Sequence, residues 1–195
     1  MLFAHLILAH LVGDFLLQPS SLVLWKMRSK IGVLVHCSVH FFVNIVVLIP
    51  VLSQKPLDIL LISLFISSIH FFIDLSKISY DLKHDNKPTS FVIDQILHVL
   101  SLILTFVVYE RYFGPYVDFT KVSSDKIIYN ISFIIFLCMT IFVTSVVDIY
   151  QYQKQSHKDF SGKIYINRPK KLKRILALSL IYLMITLLIY LIPKS

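Results

Sequence analysis

The segment HLILAHLVGDFLLQP, from His5 to Pro19, contains the pattern on which the fold depends. Most of its residues are strongly apolar, yet it carries His5, His10 and Asp14. Charged and imidazole side chains are costly inside a bilayer, and those that occur there are candidates for a functional site. The segment therefore predicts a membrane-spanning helix whose polar side chains face other helices.

The whole chain has the composition of a membrane protein. Of its 195 residues, 56% are hydrophobic and only 15% are charged, and the mean hydropathy is +0.76. Soluble domains contain about 25% charged residues, so this chain has too little polar surface for a soluble globule. We expect an integral, multi-pass protein of the cell membrane.

Six segments are long and apolar enough to cross the hydrocarbon core, which takes about 20 residues. They are residues 1–17, 31–52, 57–78, 91–109, 127–150 and 173–192. Because lipid offers the backbone no hydrogen-bond partner, each should be helical. The sequence thus predicts an all-α transmembrane bundle of about six helices, forming a single integral membrane domain over 1–195. Residues 1–109 would form a four-helix half with the polar site, and 127–192 would add two helices and a basic loop at 151–172.

The basic residues predict the orientation of the bundle. Thirteen Lys and Arg residues fall in or beside the first, third and fifth loops, and five fall at the opposite ends of the helices. Since cytoplasmic loops carry the excess of Lys and Arg, both termini should be outside and the basic loops cytoplasmic. This topology accounts for the net charge of +8, so no nucleic-acid partner is expected.

Each of the first four helices carries one pair of polar residues spaced i, i+4, which places both side chains on one face. The pairs are His10/Asp14, His36/His40, His70/Asp74 and Asp94/His98. The topology, derived from basic residues alone, puts all four in one layer near the cytoplasmic surface. His5 lies about 7 Å further out along its helix and is expected to be peripheral.

Five imidazoles and three carboxylates in one layer predict a metal site. Both groups are ligands for zinc, manganese and iron, and inward-facing ligands on a four-helix bundle can hold two ions. We expect a divalent transition metal, with zinc favoured, as one or two ions bound by His10, Asp14, His36, His40, His70, Asp74, Asp94 and His98. The alternatives are a proton-relay or transport network and a hydrogen-bond network that only joins helices.

Several further polar residues are candidates for supporting roles. Lys77 lies one turn beyond Asp74, and Lys26 and Arg28 share that end of the helices, so each could bind a substrate anion or simply anchor the chain at the interface. The remaining candidates are Gln18, Asn44, Gln95 and Asp148.

The motifs resemble those of a known family. The run from His5 to Pro19, with His36-x3-His40, His70-x3-Asp74-x2-Lys77 and Asp94-Gln95-x2-His98, is similar to the DUF3307 family of bacterial membrane proteins of unknown function over roughly residues 1–100. The resemblance implies a bacterial inner-membrane location and supplies no activity. The pattern is more loosely similar to membrane-bound metal-dependent hydrolases, which are small multi-helix proteins.

We expect a metal-dependent hydrolase that acts on a lipid-linked or membrane-proximal substrate, such as a phosphoester. A bound metal would supply hydroxide at neutral pH, Asp14 or Asp74 would act as ligand or general base, and Lys77 would orient the substrate anion. The partner would then be membrane lipid. A redox di-metal centre is a close variant of this hypothesis.

Two other classes of function remain open. A metal or proton transporter would use the same residues, although the outer halves of the second to fourth helices are expected to lack polar groups for a pathway. A non-catalytic interaction protein would present its basic loop to anionic lipid or to a soluble partner.

Overall fold

The computed structural model describes residues 1–49, 55–84, 87–112, 130–155 and 168–191, and these contain helices and no strand. The α-helices of this part of the chain are α1 (Leu2–Leu11), α2 (Ser20–Arg28), α3 (Lys30–Val47), α4 (Pro56–Asp81), α5 (Lys87–Tyr112), α6 (Ile131–Ile141), α7 (Val147–Gln155) and α8 (Arg168–Leu191). Short π-helical segments, Val12–Leu16 and Phe142–Val146, extend α1 and join α6 to α7. The predicted all-α class is confirmed.

Four stretches are long and apolar enough to cross a membrane: Lys30–Val47, Pro56–Asp81, Pro88–Tyr112 and Ile131–Gln151. The bent pair Leu2–Leu16 and Ser20–Arg28 gives a fifth if it is counted as one span. The predicted number of about six is not confirmed, because α8 coincides with the sixth predicted segment but is not among these stretches.

Some boundaries and loops of the predicted topology lie outside the described residues. These are the end of the predicted segment 31–52, the start of 127–150, residue 192 and most of the basic loop at 151–172.

The chain turns sharply after its first helix. The predicted helix over 1–17 is present as far as Leu16, and α2 then leaves at 89° to it. Pro19, with φ −66° and ψ 157°, precedes α2 in an extended conformation that breaks the helix. Residues 20–28 lie between the first two predicted spans and were expected to form a loop, but they form helix α2.

Helix α2 lies directly against the start of α3. A Cβ atom added to Gly32 would be 2.6 Å from the carbonyl carbon of Trp25 and 2.7 Å from the backbone nitrogen of Lys26. Only glycine allows the two backbones to approach this closely. Ser29 then caps α3, its Oγ accepting a hydrogen bond from the backbone N–H of Ile31 at 3.1 Å. This close packing of α2 on the first turn of α3 holds Lys26 at the end of the bundle where α3 begins.

The long helices pack in chain order, α3 against α4 and α4 against α5, and α1 contacts α3, α5 and α6. An apolar cluster fills the bundle at the end where α1 begins and α5 ends; it contains Leu2, Leu6, Leu48, Ile59, Ile62, Ile66, Leu102 and Tyr109. A second cluster joins α1 to α6 through Leu8, Leu11, Ile134 and Ile141. The predicted layer of His and Asp side chains lies toward the opposite end of the bundle, where α1 and α4 end and where α3 and α5 begin.

The outward faces of the bundle are apolar. Phe42, Leu64, Phe72 and Leu100 are each more than half exposed, whereas the buried faces carry His, Asp, Ser and Thr side chains beside the apolar clusters. A water-soluble helix has a polar outer face instead. The arrangement is that of helices solvated by lipid.

Candidate metal centre

The structure brings the four predicted pairs together in one polar layer. Seven of the eight side chains belong to buried residues, namely His10, His36, His40, His70, Asp74, Asp94 and His98, and the side chain of Asp14 is 9% exposed. Each pair sits on its own helix: α1 with its π-helical extension, α3, α4 and α5. The common layer predicted from the sequence is therefore present.

Asp14 is the shared acceptor in the first part of the layer. Nε2 of His40 lies 2.9 Å from Oδ1 of Asp14, and Nε2 of His36 lies 3.0 Å from the same atom. Nε2 of His70 is 3.6 Å from this oxygen, and Nε2 of His10 is 3.7 Å from Oδ2. Four imidazoles from three helices thus direct the same ring nitrogen toward one carboxylate.

Asp74 occupies the neighbouring position. Its Oδ2 is 3.7 Å from Nε2 of His36 and 3.8 Å from Nε2 of His70, and these two ring nitrogens are 3.1 Å apart. The ammonium group of Lys26 donates to the same Oδ2 at 3.0 Å. When the amide of Gln18 is turned so that its oxygen faces Lys26, that oxygen accepts from Nζ at 2.7 Å. Helix α2 therefore contributes a cation to the layer.

Asp94 and His98 of α5 complete the layer. Oδ2 of Asp94 is 3.3 Å from Nζ of Lys77 and accepts a hydrogen bond from Gln95 at 3.1 Å. Nδ1 of His98 donates to the backbone carbonyl of Asp94 at 2.8 Å, a bond that leaves Nε2 with its lone pair. Such an outer hydrogen bond is typical of histidines that bind metal. Among the described residues, this Nε2 and Oδ1 of Asp94 have no hydrogen-bond partner.

The close contacts of His36 compete for one ring nitrogen. A neutral imidazole nitrogen carries either a proton or a lone pair. If Nε2 of His36 donates to Asp14, the same proton must also be shared with Nε2 of His70 at 3.1 Å. If it accepts from His70, it faces a carboxylate oxygen at 3.0 Å without a donor. If a cation were bound between these atoms, each ring nitrogen and carboxylate oxygen could direct a lone pair toward it, and no shared proton would be needed.

The distances fit the ligand shell of a small dication. Zinc ligands lie about 2.0–2.2 Å from the ion, so tetrahedral ligand atoms lie roughly 3.4 Å from one another, close to the separations at Asp14 and Asp74. Three groups have ligand atoms that all lie within 4.8 Å of one another: His10, Asp14, His40 and His70; His36, His70 and Asp74; and Asp74, Asp94 and His98. The first and third share no residue, so two ions could be held without a common ligand.

The fixed charges of the layer also leave room for a cation. Three carboxylates, Asp14, Asp74 and Asp94, face two ammonium groups, Lys26 and Lys77. With neutral imidazoles the layer carries a net charge of −1. One dication would bring it to +1, which suits a bound hydroxide or an anionic substrate.

Gly13 makes the contact between α1 and α3 possible. A Cβ atom at this position would lie 2.4 Å from Cε1 of His40 and 2.7 Å from each of its ring nitrogens. The glycine therefore lets the His40 ring reach Asp14. Gly13 is not among the residues predicted for the site, although a glycine beside an aspartate in an apolar helix is a usable signal in a chain with only four glycines.

A small cavity of about 10 Å³ lies on the far side of the imidazoles, between His10, His40, His70, His98 and the side chain of Asn44. This volume is close to the minimum for one water molecule. Oδ1 of Asn44 has no hydrogen-bond partner among the described residues. Asn44 therefore continues the polar layer by one turn, as its spacing from His40 predicted.

Polar side chains extend further from the layer than predicted. The expectation that the outer halves of the second to fourth helices lack polar groups is wrong, because Ser63 and Thr105 are buried there. The expectation fails because hydroxyl side chains are polar although they are neither charged nor imidazole groups. Thr105 donates to the backbone carbonyl of Ser101 at 2.7 Å, and Ser101 donates to that of His98. These two hydroxyls bond within their own helix and cost little in an apolar setting, whereas Oγ of Ser63 has no hydrogen-bond partner among the described residues.

Three of the weaker candidates lie away from the layer. Asp148 forms an ion pair with Arg174, and Arg28 is exposed. Nδ1 of His5 donates to the backbone carbonyl of Met1 at 3.0 Å, and none of the three ligand groups includes His5. Its predicted peripheral position agrees with this geometry.

Comparison with known proteins gives one finding. The family model described as "Protein of unknown function (DUF3307)" matches residues 2–123, so it covers all eight residues of the layer together with Lys26 and Lys77. No curated protein and no solved structure matches the chain. The described helices α6, α7 and α8 lie beyond the matched region.

Proposed function

The chain belongs to the DUF3307 family, whose description assigns no activity, and from the polar layer we propose that it is a membrane-embedded metal-dependent hydrolase. The observation that carries the proposal is the convergence of four imidazole nitrogens on one carboxylate, with the Nε2 atoms of His36 and His70 only 3.1 Å apart. A divalent transition metal, with zinc favoured over manganese and iron, accounts for both features.

The bound metal would supply a hydroxide at neutral pH and stabilise the negative charge that develops on the reacting phosphoryl or acyl oxygen. In phosphoester hydrolysis, the oxygen of a water molecule would bond to phosphorus while the bond from phosphorus to the leaving oxygen breaks, and the proton taken from the water would end on the leaving oxygen. Asp14 and Asp74 act as ligands or, where one is displaced, as the base that holds the water proton. Lys77 carries the positive charge that orients the substrate anion.

The proposed substrate is lipid-linked or membrane-proximal, because the layer lies between membrane-spanning helices. The apolar cluster of Leu6, Leu48, Ile59 and Leu102 separates it from the opposite end of the bundle. A soluble substrate would therefore have to enter from the end at which the basic residues lie. We propose that this end faces the cytoplasm, in agreement with the positive-inside rule.

Hydrolysis is tested by incubating the detergent-purified protein with a panel of phospholipids and phosphoesters, with and without added zinc or manganese, and measuring product by mass spectrometry. We expect metal-dependent turnover that falls at least about 100-fold in Asp74→Asn, since the substitution removes an anionic ligand. Asp58→Asn is the matched control, because Asp58 lies on the same helix outside the layer. Parent-level activity in Asp74→Asn would disprove the proposal.

Transport of a metal ion or proton is the second candidate, and one observation favours it. Asn44, Ser63 and Ser67 continue the buried polar surface beyond the layer, and their oxygens have no hydrogen-bond partner among the described residues. A transporter would move zinc or protons across vesicles that contain the purified protein, and the movement would require Asp74. Movement without any turnover would favour this candidate over hydrolysis.

A further inference from the structure

Two grooves of equal size lie between α4 and α5, at opposite ends of these helices. The Lys77 groove is lined by Ile73, Ser76, Lys77, Tyr80, Ser90, Ile93, Asp94 and Leu97, and the Asp58 groove by Asp58, Leu61, Ile62, Phe65, Thr105, Val108 and Tyr109. Each has a volume of about 290 Å³. They differ in charge, because Lys77 and Asp94 both line the first, whereas the residues that line the second include one carboxylate, Asp58, and no cation.

The Lys77 groove opens toward the space that lipid occupies. Ile93 and Leu97 form its wall and are 50% and 43% exposed, and Tyr80 near its end is 44% exposed. These side chains lie on the outward face of helices that satisfy the length and hydropathy needed for a membrane span. A molecule in the groove would therefore touch the acyl chains of the bilayer.

Lys77 places a positive charge at the inner wall of this groove. Its side chain is 19% exposed, and Nζ lies 3.3 Å from Oδ2 of Asp94 and 5.7 Å from the centre of the Phe91 ring. An ammonium group has three donors, so the contact with Asp94 leaves donors for a second anion. Lys26 differs, because its side chain is 10% exposed, its Nζ donates to Asp74 and it lines neither groove.

Asp94 connects the groove to the polar layer. It lines the Lys77 groove, and it also belongs to the ligand group formed with Asp74 and His98. An anion held by Lys77 would therefore lie beside a residue of the proposed metal centre.

We infer that the Lys77 groove binds a membrane phospholipid, with the lipid phosphate on Lys77 and the adjoining acyl chain along Ile93 and Leu97. The volume accommodates a phosphate group and the first part of a chain, and the rest of the lipid stays in the bilayer. Charge complementarity selects a phosphate-bearing lipid over a neutral one. The inference rests on the proposed function only for the fate of the lipid, since binding requires no turnover.

The test is photo-crosslinking of the detergent-purified full chain in vesicles of digalactosyldiacylglycerol, a bilayer lipid without phosphate, that contain a trace of diazirine-labelled phosphatidic acid or, separately, of diazirine-labelled diacylglycerol. Labelled peptides are located by mass spectrometry. We expect phosphatidic acid to label the α4 and α5 peptides of the Lys77 groove. Labelling should fall at least about tenfold in Lys77→Met, which keeps an apolar side chain of similar length, and recover in Lys77→Arg.

Matched controls separate groove binding from general lipid contact. Leu97→Trp fills the Lys77 groove and should abolish its labelling, whereas Leu61→Trp fills the Asp58 groove and should leave it unchanged. Lys30→Met removes an exposed lysine and should also have no effect. Equal labelling of both grooves, equal labelling by diacylglycerol, or full labelling of Lys77→Met would overturn the inference.

Two further readouts distinguish this inference from the proposed function. Inorganic phosphate should not compete with the labelled lipid; competition would make soluble phosphate the ligand and overturn the assignment to lipid. Metal content is measured on the same samples. Loss of labelling in Lys77→Met with metal retained supports the groove, and absence of metal in a parent that still labels contradicts only the proposed hydrolase.

Discussion

At the scale of single residues, the polar layer depends on a glycine as much as on its His and Asp side chains. The His40 ring occupies the place of a side chain at position 13, and it reaches Asp14 only because Gly13 has none. A methyl group there must displace either the ring or the backbone of α1. The hydrogen bond between His40 and Asp14 therefore requires the space that the missing side chain of Gly13 leaves between α1 and α3.

Gly13→Ala is expected to weaken metal binding by roughly 10- to 100-fold, the range seen when the groups that orient metal ligands are removed. The measurement is zinc affinity by competition with a fluorescent chelator, on protein whose helical content is unchanged by circular dichroism. Val12→Ala is the control, because it alters the adjacent residue without entering the His40 ring. Parent-level affinity in Gly13→Ala would contradict the role given to this contact.

Lys26 has a different effect, since its ammonium group offsets the charge of Asp74 in the metal-free protein. Removing one partner of a buried ion pair costs about 3–5 kcal/mol. We expect Lys26→Met to lower the stability of the metal-free protein by about 3 kcal/mol. Zinc binds the folded state and should restore more stability to the variant than to the parent, because in the variant it offsets an Asp74 charge that Lys26 no longer pairs.

This prediction is checked by denaturant unfolding in detergent micelles with and without zinc. Lys30→Met, which removes an exposed lysine at the start of α3, should change stability little under either condition. If the loss in Lys26→Met were the same with and without zinc, Asp74 would not be a metal ligand.

Most residues of the polar layer could be predicted from the sequence, because one spacing rule selects them. An i, i+4 pair on a membrane-spanning helix shares a face, and the burial of the eight residues follows from the cost of leaving such groups in lipid. The contact of Lys26 with Asp74 could not be predicted in this way. It depends on the direction of α2 after Pro19 and on the close approach at Gly32, which arise from packing between helices.

At the scale of elements, the crossing of α2 and α3 controls one side of the layer. A larger side chain at Gly32 would meet the backbone of Trp25 and Lys26, so Gly32→Val should move α2 away and separate Lys26 from Asp74. We expect its effect on metal-free stability to overlap with that of Lys26→Met.

A double-mutant cycle tests this coupling. The double variant Gly32→Val/Lys26→Met should be less destabilised than the sum of the two single variants, by 0.5–3 kcal/mol, the usual range for coupled residues. If the losses of stability in the two single variants were additive, the position of Lys26 would not depend on the close contact between α2 and α3 at Gly32.

The helices themselves were predictable to within a few residues. The predicted segments 57–78 and 91–109 lie inside α4 (Pro56–Asp81) and α5 (Lys87–Tyr112), because a long apolar run has no other stable backbone conformation in lipid. Helix α2 was missed because its nine residues include polar ones and span too little length to be recognised as a membrane segment.

At the scale of the whole molecule, the number of spans decides where the C-terminus lies. If α1, α3, α4, α5, the α6–α7 stretch and α8 all cross, both termini are on the same side. We expect this arrangement, with the termini outside. The measurement is reporter fusion: alkaline phosphatase, which is active outside, and green fluorescent protein, which folds inside, each placed at either end of the chain.

Alkaline phosphatase activity at both ends is the expected result. Fluorescence at the C-terminus with phosphatase activity at the N-terminus would show that α8 does not cross the membrane, and five spans would then be the correct number. A fusion within the basic loop at 151–172 serves as the control and should fluoresce.

The central claim is that the His and Asp layer holds a metal ion, and elemental analysis tests it most directly. The parent, Asp14→Asn and His5→Gln are purified in detergent without chelator, supplied with zinc, manganese and iron, and desalted before analysis. We predict about one or two equivalents of a transition metal in the parent and in His5→Gln, and loss of metal from a still-helical Asp14→Asn. A parent that retains no metal, or an Asp14→Asn variant that retains as much as the parent, would contradict the account.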